Sequence, residues 1–310
     1  MAKKVAITSE FFGKFSDQAL NILKENGLEV IENKYDKYLA SEEEIVSLTK
    51  DAAAVICDLE EISASVIDRS PQLEIIARRG VGTDSVAVEH AEKKGIKVAR
   101  TLGVVEKPVA ELVMAYILNI SRQLIPLNNA MHQGKWDKIL ANSIDGKILG
   151  IIGMGNIGQE ITRKAQAFDM KVVYFDVDRK ENLEAELDIE YLKLDELYQR
   201  ADIITLHVPL NKHTENLIDY QAMQKMKKAP ILINTARGPV VNNQDLKKAL
   251  EEGIISYAAV DVFAEEPKTD SVLKGSKNAI LTPHVGTFTE EIFIKMDVLA
   301  AQNVVEYLLD

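Results

Sequence analysis

The stretch "KILGIIGMGNIGQEI", residues 147–161, decides how this chain is read. An apolar run ends at Gly153, Gly155 and Gly158, and helix-forming residues follow. A GxGxxG triplet is common by chance, but between a strand and a helix it builds a phosphate cradle. Gly153 permits the tight turn, Gly155 admits backbone N–H groups to a pyrophosphate, and Gly158 lets the helix pack on the strand. Asn156 and Ile157 open that helix, whose N-terminal partial positive charge suits phosphate.

The next apolar run, "KVVYFDV" (171–177), carries Asp176, eighteen positions after Gly158. A carboxylate there accepts hydrogen bonds from the adenine ribose hydroxyls and repels a 2′-phosphate, so NAD is expected in preference to NADP. Arg179 and Lys180 act in the opposite sense, and Asp178 sides with Asp176. This segment alone also fits a non-redox nucleotide-binding domain, such as a methyltransferase.

Working outward, β-branched runs alternate with helix-period sequence on both sides of the cradle. "KVAIT" (4–8), "LEVIEN", "AAAVICD", "LEIIARR" and "IKVAR" precede it; "DIITLHV" (202–208), "PILINTA" (230–236), "YAAVDVF" (257–263) and "AILT" (279–282) follow. That spacing predicts an α/β protein with two doubly wound parallel sheets. One long helical segment, 107–133, with Pro108 in its first turn, joins the two halves, and a helix from about residue 290 to 309 closes the chain.

A chain of 310 residues is long enough for two domains. A net charge of −11 opposes nonspecific attraction to nucleic acid or to an anionic membrane. The lysine pairs at 93–94, 227–228 and 247–248 read as solvated helix ends. The single cysteine, Cys57, rules out an intrachain disulfide and a cysteine-based zinc site, and no metal is expected. The N-terminus lacks a signal-peptide core, and the longest apolar run, 112–120, is too short to span a bilayer, so a cytoplasmic protein is expected.

Three strand ends after the cradle each deliver an ionisable residue: Arg237 in "INTARGPVV", Asp261 with Glu265 and Glu266 in "VDVFAEEP", and His284 in "LTPHVG". The C-terminal ends of a doubly wound sheet line its ligand crevice, so these residues should converge. Their chemistry suits hydride transfer to a 2-oxo acid. His284 can donate a proton to the ketone oxygen, Glu266 can hold the imidazole, and Arg237 can grip a carboxylate and polarise the carbonyl.

With these residues in hand, the chain from about 75 to 290 resembles the D-isomer-specific 2-hydroxyacid dehydrogenase family. The matching stretches are "ARRGVGTDSV", "PVAEL", "GIIGMGNIG", "ADIITLHVPL", "LINTARGPVV", "VDVFAEEP" and "LTPHVG". The resemblance implies a flavodoxin-like substrate domain of residues 1–98 plus 287–310 and a Rossmann NAD-binding domain of residues 99–286. It implies Arg237, Glu266 and His284 as the catalytic set, with Asp261 on the nicotinamide carboxamide. His207, Pro209, Thr235 and Ala236 would line the cofactor. Arg78 and the Val81–Gly82 backbone would bind the substrate, a small 2-oxo or 2-hydroxy acid. A homodimer through the 107–133 region is implied as well.

Two narrower readings stay open: a D-3-phosphoglycerate dehydrogenase, or an NAD-sensing corepressor-like protein. Against the first, the turn after the third strand carries Asp58, Glu60 and Glu61, which would repel a phosphate, and no regulatory domain is expected beyond residue 310.

Overall fold

The computed structural model describes residues 2–33, 38–39, 41–226, 229–267 and 270–309; the Lys227–Lys228 pair lies outside them. Along the chain the first elements are β1 (Lys4–Ile7), α1 (Gln18–Glu25), β2 (Glu29–Ile31), α2 (Glu42–Thr49), β3 (Ala54–Cys57), α3 (Ala64–Asp68), β4 (Ile75–Arg78), α4 (Val88–Lys93) and β5 (Lys97–Arg100). Two helices follow, α5 (Glu106–Arg122) and α6 (Leu124–His132). Then come β6 (Ile148–Ile152), α7 (Asn156–Gln166), β7 (Lys171–Phe175), α8 (Glu181–Leu187), β8 (Glu190–Tyr191), α9 (Leu194–Arg200) and β9 (Ile203–Leu206). The last are α10 (Tyr220–Gln224), β10 (Ile231–Asn234), α11 (Asn243–Glu251), β11 (Tyr257–Val260), β12 (Ala279–Leu281) and α12 (Glu290–Leu309).

The chain divides into two compact units, Met1–Val105 with Thr287–Asp310, and Glu106–Gly286. The first is built on a parallel sheet of order β2-β1-β3-β4-β5. Strands β3 and β4 are buried at every position while β5 is partly open, as expected when helices cover both faces of the central strands. One face packs against α1 and α12, with Leu23, Ala300, Ala301 and Val304 closing over Val5, Ile7 and Ile56. Ile45, Val66, Ile67 and Ala91, from α2, α3 and α4, cover the other.

The second unit carries a seven-stranded parallel sheet of order β12-β11-β10-β9-β6-β7-β8. The order reverses between β6 and β9, and this switch point opens a crevice at the carboxyl ends of the strands. Helix α5 buries Val113, Met114, Ile117 and Ile120 in the same core as Ile161 and Ala165 of α7.

The segment 107–133 is not a single helix. Gln123 adopts φ 54, and its side chain donates to the Ile120 carbonyl at 2.8 Å and accepts from the Tyr257 hydroxyl at 3.0 Å. That left-handed residue ends α5 and starts α6 in a new direction. Helix α6 buries none of its residues, and Leu124, Ile125 and Met131 are exposed on it, as are Trp136 and Leu140 beyond it. Among the described residues, no helix is long and apolar enough to cross a membrane.

Candidate active site

The cradle forms as the residue types require. Gly153 has φ +99, and a Cβ there would lie 2.5 Å from the His207 carbonyl oxygen. A Cβ on Gly158 would lie 2.6 Å from the Gly153 carbonyl oxygen, so α7 can seat on β6 only without one. At Gly155 a Cβ would meet nothing within 4 Å, so the backbone at the mouth of α7 is open, with Asn156 and Ile157 in its first turn. Asp176, just past β7, is tied to this loop: its Oδ2 accepts from Met154 N at 2.8 Å and its Oδ1 from Asp178 N at 3.1 Å.

Across the switch point, His207 follows β9 and Thr235 follows β10. The His207 Nε2 lies 2.8 Å from the Thr205 hydroxyl, while its Nδ1 and the Thr235 Oγ1 are sealed from solvent without a protein partner. Burial holds the His207 imidazole down to about 3, so it is neutral. Ala236 is buried beside Thr235, and Pro209 is exposed. An open helix mouth, an acid just past β7 bonded to the cradle loop and two buried polar atoms without protein partners fit a dinucleotide.

Arg237, Glu266 and His284 come from three successive strand ends. Asn234, buried at the end of β10, donates from Nδ2 to the Arg237 carbonyl at 2.9 Å and accepts from Ala236 N at 3.0 Å, which curls the turn and presents Arg237. Gly238 then backs onto the chain after β11, where a Cβ would stand 2.1 Å from the Phe263 carbonyl carbon. That close approach draws the Arg237 turn to the 263–266 loop. There Phe263 N donates to Glu266 Oε1 at 2.7 Å, and Glu266 Oε2 faces His284 Nδ1 at 2.5 Å. Glu265, its neighbour, is exposed.

His284 holds a left-handed conformation, φ 53, unusual for a residue with a side chain. Asp261 fixes it. The Asp261 carbonyl accepts from His284 N at 2.8 Å, and its carboxylate accepts from Val285 N and Gly286 N, each at 2.9 Å, and from the Thr282 hydroxyl at 2.5 Å. Tyr116 of α5 bonds to Thr282 in turn. Burial raises the Asp261 carboxyl above its ordinary value against these hydrogen bonds. For Glu266, burial also pushes upward, but the hydrogen bond and charge of His284, the Phe263 N–H and the nearby Arg237 charge leave it below the usual carboxylate range. The site therefore presents an ionised acid against an imidazole, with a guanidinium close by.

The remaining candidates belong to the first unit. Arg78, at the end of β4, has Nη1 3.2 Å from Asp58 Oδ1, and Val81 and Gly82 follow in a half-buried loop. The turn after β3 does not present three bare acids, as its sequence suggests. Glu60 is buried and accepts from Asp58 N at 2.7 Å and from the Thr8 hydroxyl at 3.3 Å. Asp58 is committed to Arg78 and, at 2.6 Å, to Arg79. Arg79 is itself buried, pairs with Asp297 of α12, and stacks its guanidinium 4.2 Å from the Phe293 ring centre.

Sequence reasoning missed Asn234, Thr282, Tyr116 and Arg79. Asn234 had a signal, since an asparagine leaving a strand before a glycine turn is a habitual turn-former. The other three depend on partners 21 to 218 residues away, which no local pattern reveals.

Residues 114–286 match the family described as D-isomer specific 2-hydroxyacid dehydrogenase, NAD binding domain. A glyoxylate reductase of Thermofilum pendens is 36% identical over 301 residues, covering 94% of this chain and 88% of that protein. A hydroxypyruvate reductase of Thermotoga maritima is 38% identical over 242 residues, covering 76% and 78%. The D-lactate dehydrogenase of Aquifex aeolicus, whose crystal structure holds NAD and lactic acid, superposes with a TM-score of 0.84 at 28% identity, covering 97% of this chain and 94% of that one. With an NAD(P)-binding sheet, a matched domain and relatives similar over most of their length, the chain belongs to the D-isomer-specific 2-hydroxyacid dehydrogenase family and is an oxidoreductase of 2-oxo and 2-hydroxy acids.

Proposed function

We propose that this enzyme interconverts a small, unphosphorylated 2-oxo acid, glyoxylate or hydroxypyruvate, and its 2-hydroxy acid, with NAD as cofactor. The observation that carries this reading is the Glu266–His284 pair at 2.5 Å beside Arg237 at the carboxyl edge of the nucleotide-binding sheet. When bound, the nicotinamide supplies or takes up the hydride.

The protein's own residues do the rest. His284 gives a proton to the developing alkoxide in reduction and removes it in oxidation. Glu266, ionised and bonded to Nδ1, fixes the tautomer that leaves Nε2 to exchange that proton. Arg237 binds the substrate carboxylate through its guanidinium fork and draws electron density from the carbonyl. Asp261 holds the loop that carries His284, with the remaining lone pair of its carboxylate for the nicotinamide carboxamide. Gly153, Gly155, Asn156, Ile157 and Gly158 receive the pyrophosphate, Asp176 the adenine ribose, and His207, Pro209, Thr235 and Ala236 flank the cofactor.

Arg78, Val81 and Gly82 are the substrate contacts proposed for the first unit. The Asp58 carboxylate already neutralises Arg78, which supports an uncharged substituent on the substrate over a phosphate. The names of the glyoxylate and hydroxypyruvate reductases support the same choice. The exposed apolar side chains of α6 and the segment after it support self-association through this region.

The test is NADH oxidation with glyoxylate, hydroxypyruvate, pyruvate, phenylpyruvate and phosphohydroxypyruvate. Strong turnover with one of the first two is the expected result. A phosphohydroxypyruvate preference overturns the reading of Asp58 and Arg78. Silence across the panel, with NADH still bound, overturns the catalytic reading in favour of a sensing role.

A further inference from the structure

The loop after β7 holds an acid and a cation three residues apart, Asp176 and Arg179, and only the acid is directed to the cradle. The Arg179 guanidinium is turned the other way. Its Nε donates to Glu184 Oε1 and its Nη2 to Glu184 Oε2, each at 2.8 Å, and it lies 5.3 Å from the Tyr191 ring centre. Glu184, in α8, is braced from within. Its Oε1 also accepts from the Tyr174 hydroxyl at 2.9 Å, and that hydroxyl accepts from Lys180 N at 2.8 Å. Lys180 is paired with Asp178.

A fork bound on both prongs, stacked on a ring and anchored to a buried tyrosine is held far better than an ordinary exposed ion pair. We propose that Glu184 is a specificity-determining residue for the nucleotide: it holds the Arg179 guanidinium on α8 and so denies a 2′-phosphate the cation that lies nearest in sequence to the ribose-binding acid. Discrimination against NADP then rests on two residues of opposite action. Asp176 repels the phosphate, and Glu184 withholds its counter-ion. This rests on the assignment of Asp176 to the adenine ribose.

The experiment is a fluorescence titration of NADH and NADPH binding to the wild type, E184Q, R179A, the double variant R179A/E184Q, and D176A. Glutamine keeps an acceptor for Tyr174 and loses the charge that holds Arg179. The wild type is expected to prefer NADH. E184Q should shift the NADPH-to-NADH affinity ratio toward NADPH by about tenfold, the scale of one charge-assisted hydrogen bond, and R179A should abolish that gain in the double variant. A ratio unmoved by E184Q, a gain that survives in the double variant, or loss of both nucleotides in E184Q overturns the proposal. D176A separates the two assignments. If it moves the ratio and E184Q does not, only the role of Glu184 fails; if D176A leaves the ratio unchanged, the reading of Asp176 fails with it.

Discussion

Glu266 meets His284 through Nδ1, at 2.5 Å, so the imidazole is oriented with Nε2 directed away from its acidic partner. His284→Ala should therefore reduce turnover by a factor of about 10² or more, the usual contribution of a general acid–base group, while NADH still binds. Steady-state kinetics with the preferred 2-oxo acid, beside a nucleotide titration, checks both halves. Turnover within a few-fold of wild type would remove His284 from the mechanism.

Gly153→Ala should block the cradle. The new Cβ would meet the His207 carbonyl, and φ +99 is strained for alanine, at a cost on the order of 1–3 kcal/mol before any clash. Loss of NADH binding with a lowered Tm is the expected pair of results. Gly155→Ala, whose Cβ meets nothing within 4 Å, should leave Tm unchanged and act on the nucleotide alone.

In the first unit Arg79 is buried between Asp58 and Asp297. Arg79→Met strands Asp297, since Asp58 keeps Arg78, and should destabilise by about 3–5 kcal/mol; Asp297→Leu leaves Arg79 with Asp58 alone and should cost less. The double substitution should cost well under the sum, because Asp297→Leu removes the charge that Arg79→Met strands. Thermal denaturation of the four proteins gives the coupling, and simple additivity would show that the pair contributes nothing as a pair.

Burial raises the Glu60 carboxyl in the folded protein above its ordinary value of 4.5, with the Asp58 charge adding to it. A carboxyl raised on folding penalises the native state above its unfolded value and ceases to do so below it. Glu60→Gln should accordingly raise Tm near neutral pH, and the gain should shrink as the pH falls through the folded value toward 4.5. A Tm difference independent of pH would place the effect in packing.

Much of this was legible in the sequence because it is local. Gly153, Gly158 and Asp176 are recognisable from spacing, since one turn, one helix contact and one strand end fix all three. The strand runs showed plainly because buried parallel strands need apolar residues on both faces. Glu265 and Glu266 are neighbours that local chemistry does not separate, and geometry does: Glu266 faces the histidine and Glu265 is exposed. What stayed hidden was decided by distant partners. Glu60 reads as a surface acid until Thr8 and the Asp58 backbone enclose it. Arg79 reads as a loop cation until α12 supplies Asp297 and Phe293. The break at Gln123 escaped because Tyr257, whose hydroxyl bonds to its side chain, is 134 residues away.

The first unit is discontinuous: its chain leaves at Val105 and resumes at Thr287. Its core includes Ala300, Ala301 and Val304 from the closing helix. During synthesis the ribosome releases the whole nucleotide-binding unit before it releases the helix that seals the earlier one. The interrupted unit must then wait, with Leu23, Ile75 and Ala77 short of the helix that completes their packing, while the inserted one can already fold. The order of maturation thus inverts the order of the N-termini, and a nascent chain stalled before residue 287 should expose apolar surface to a chaperone from its first hundred residues alone.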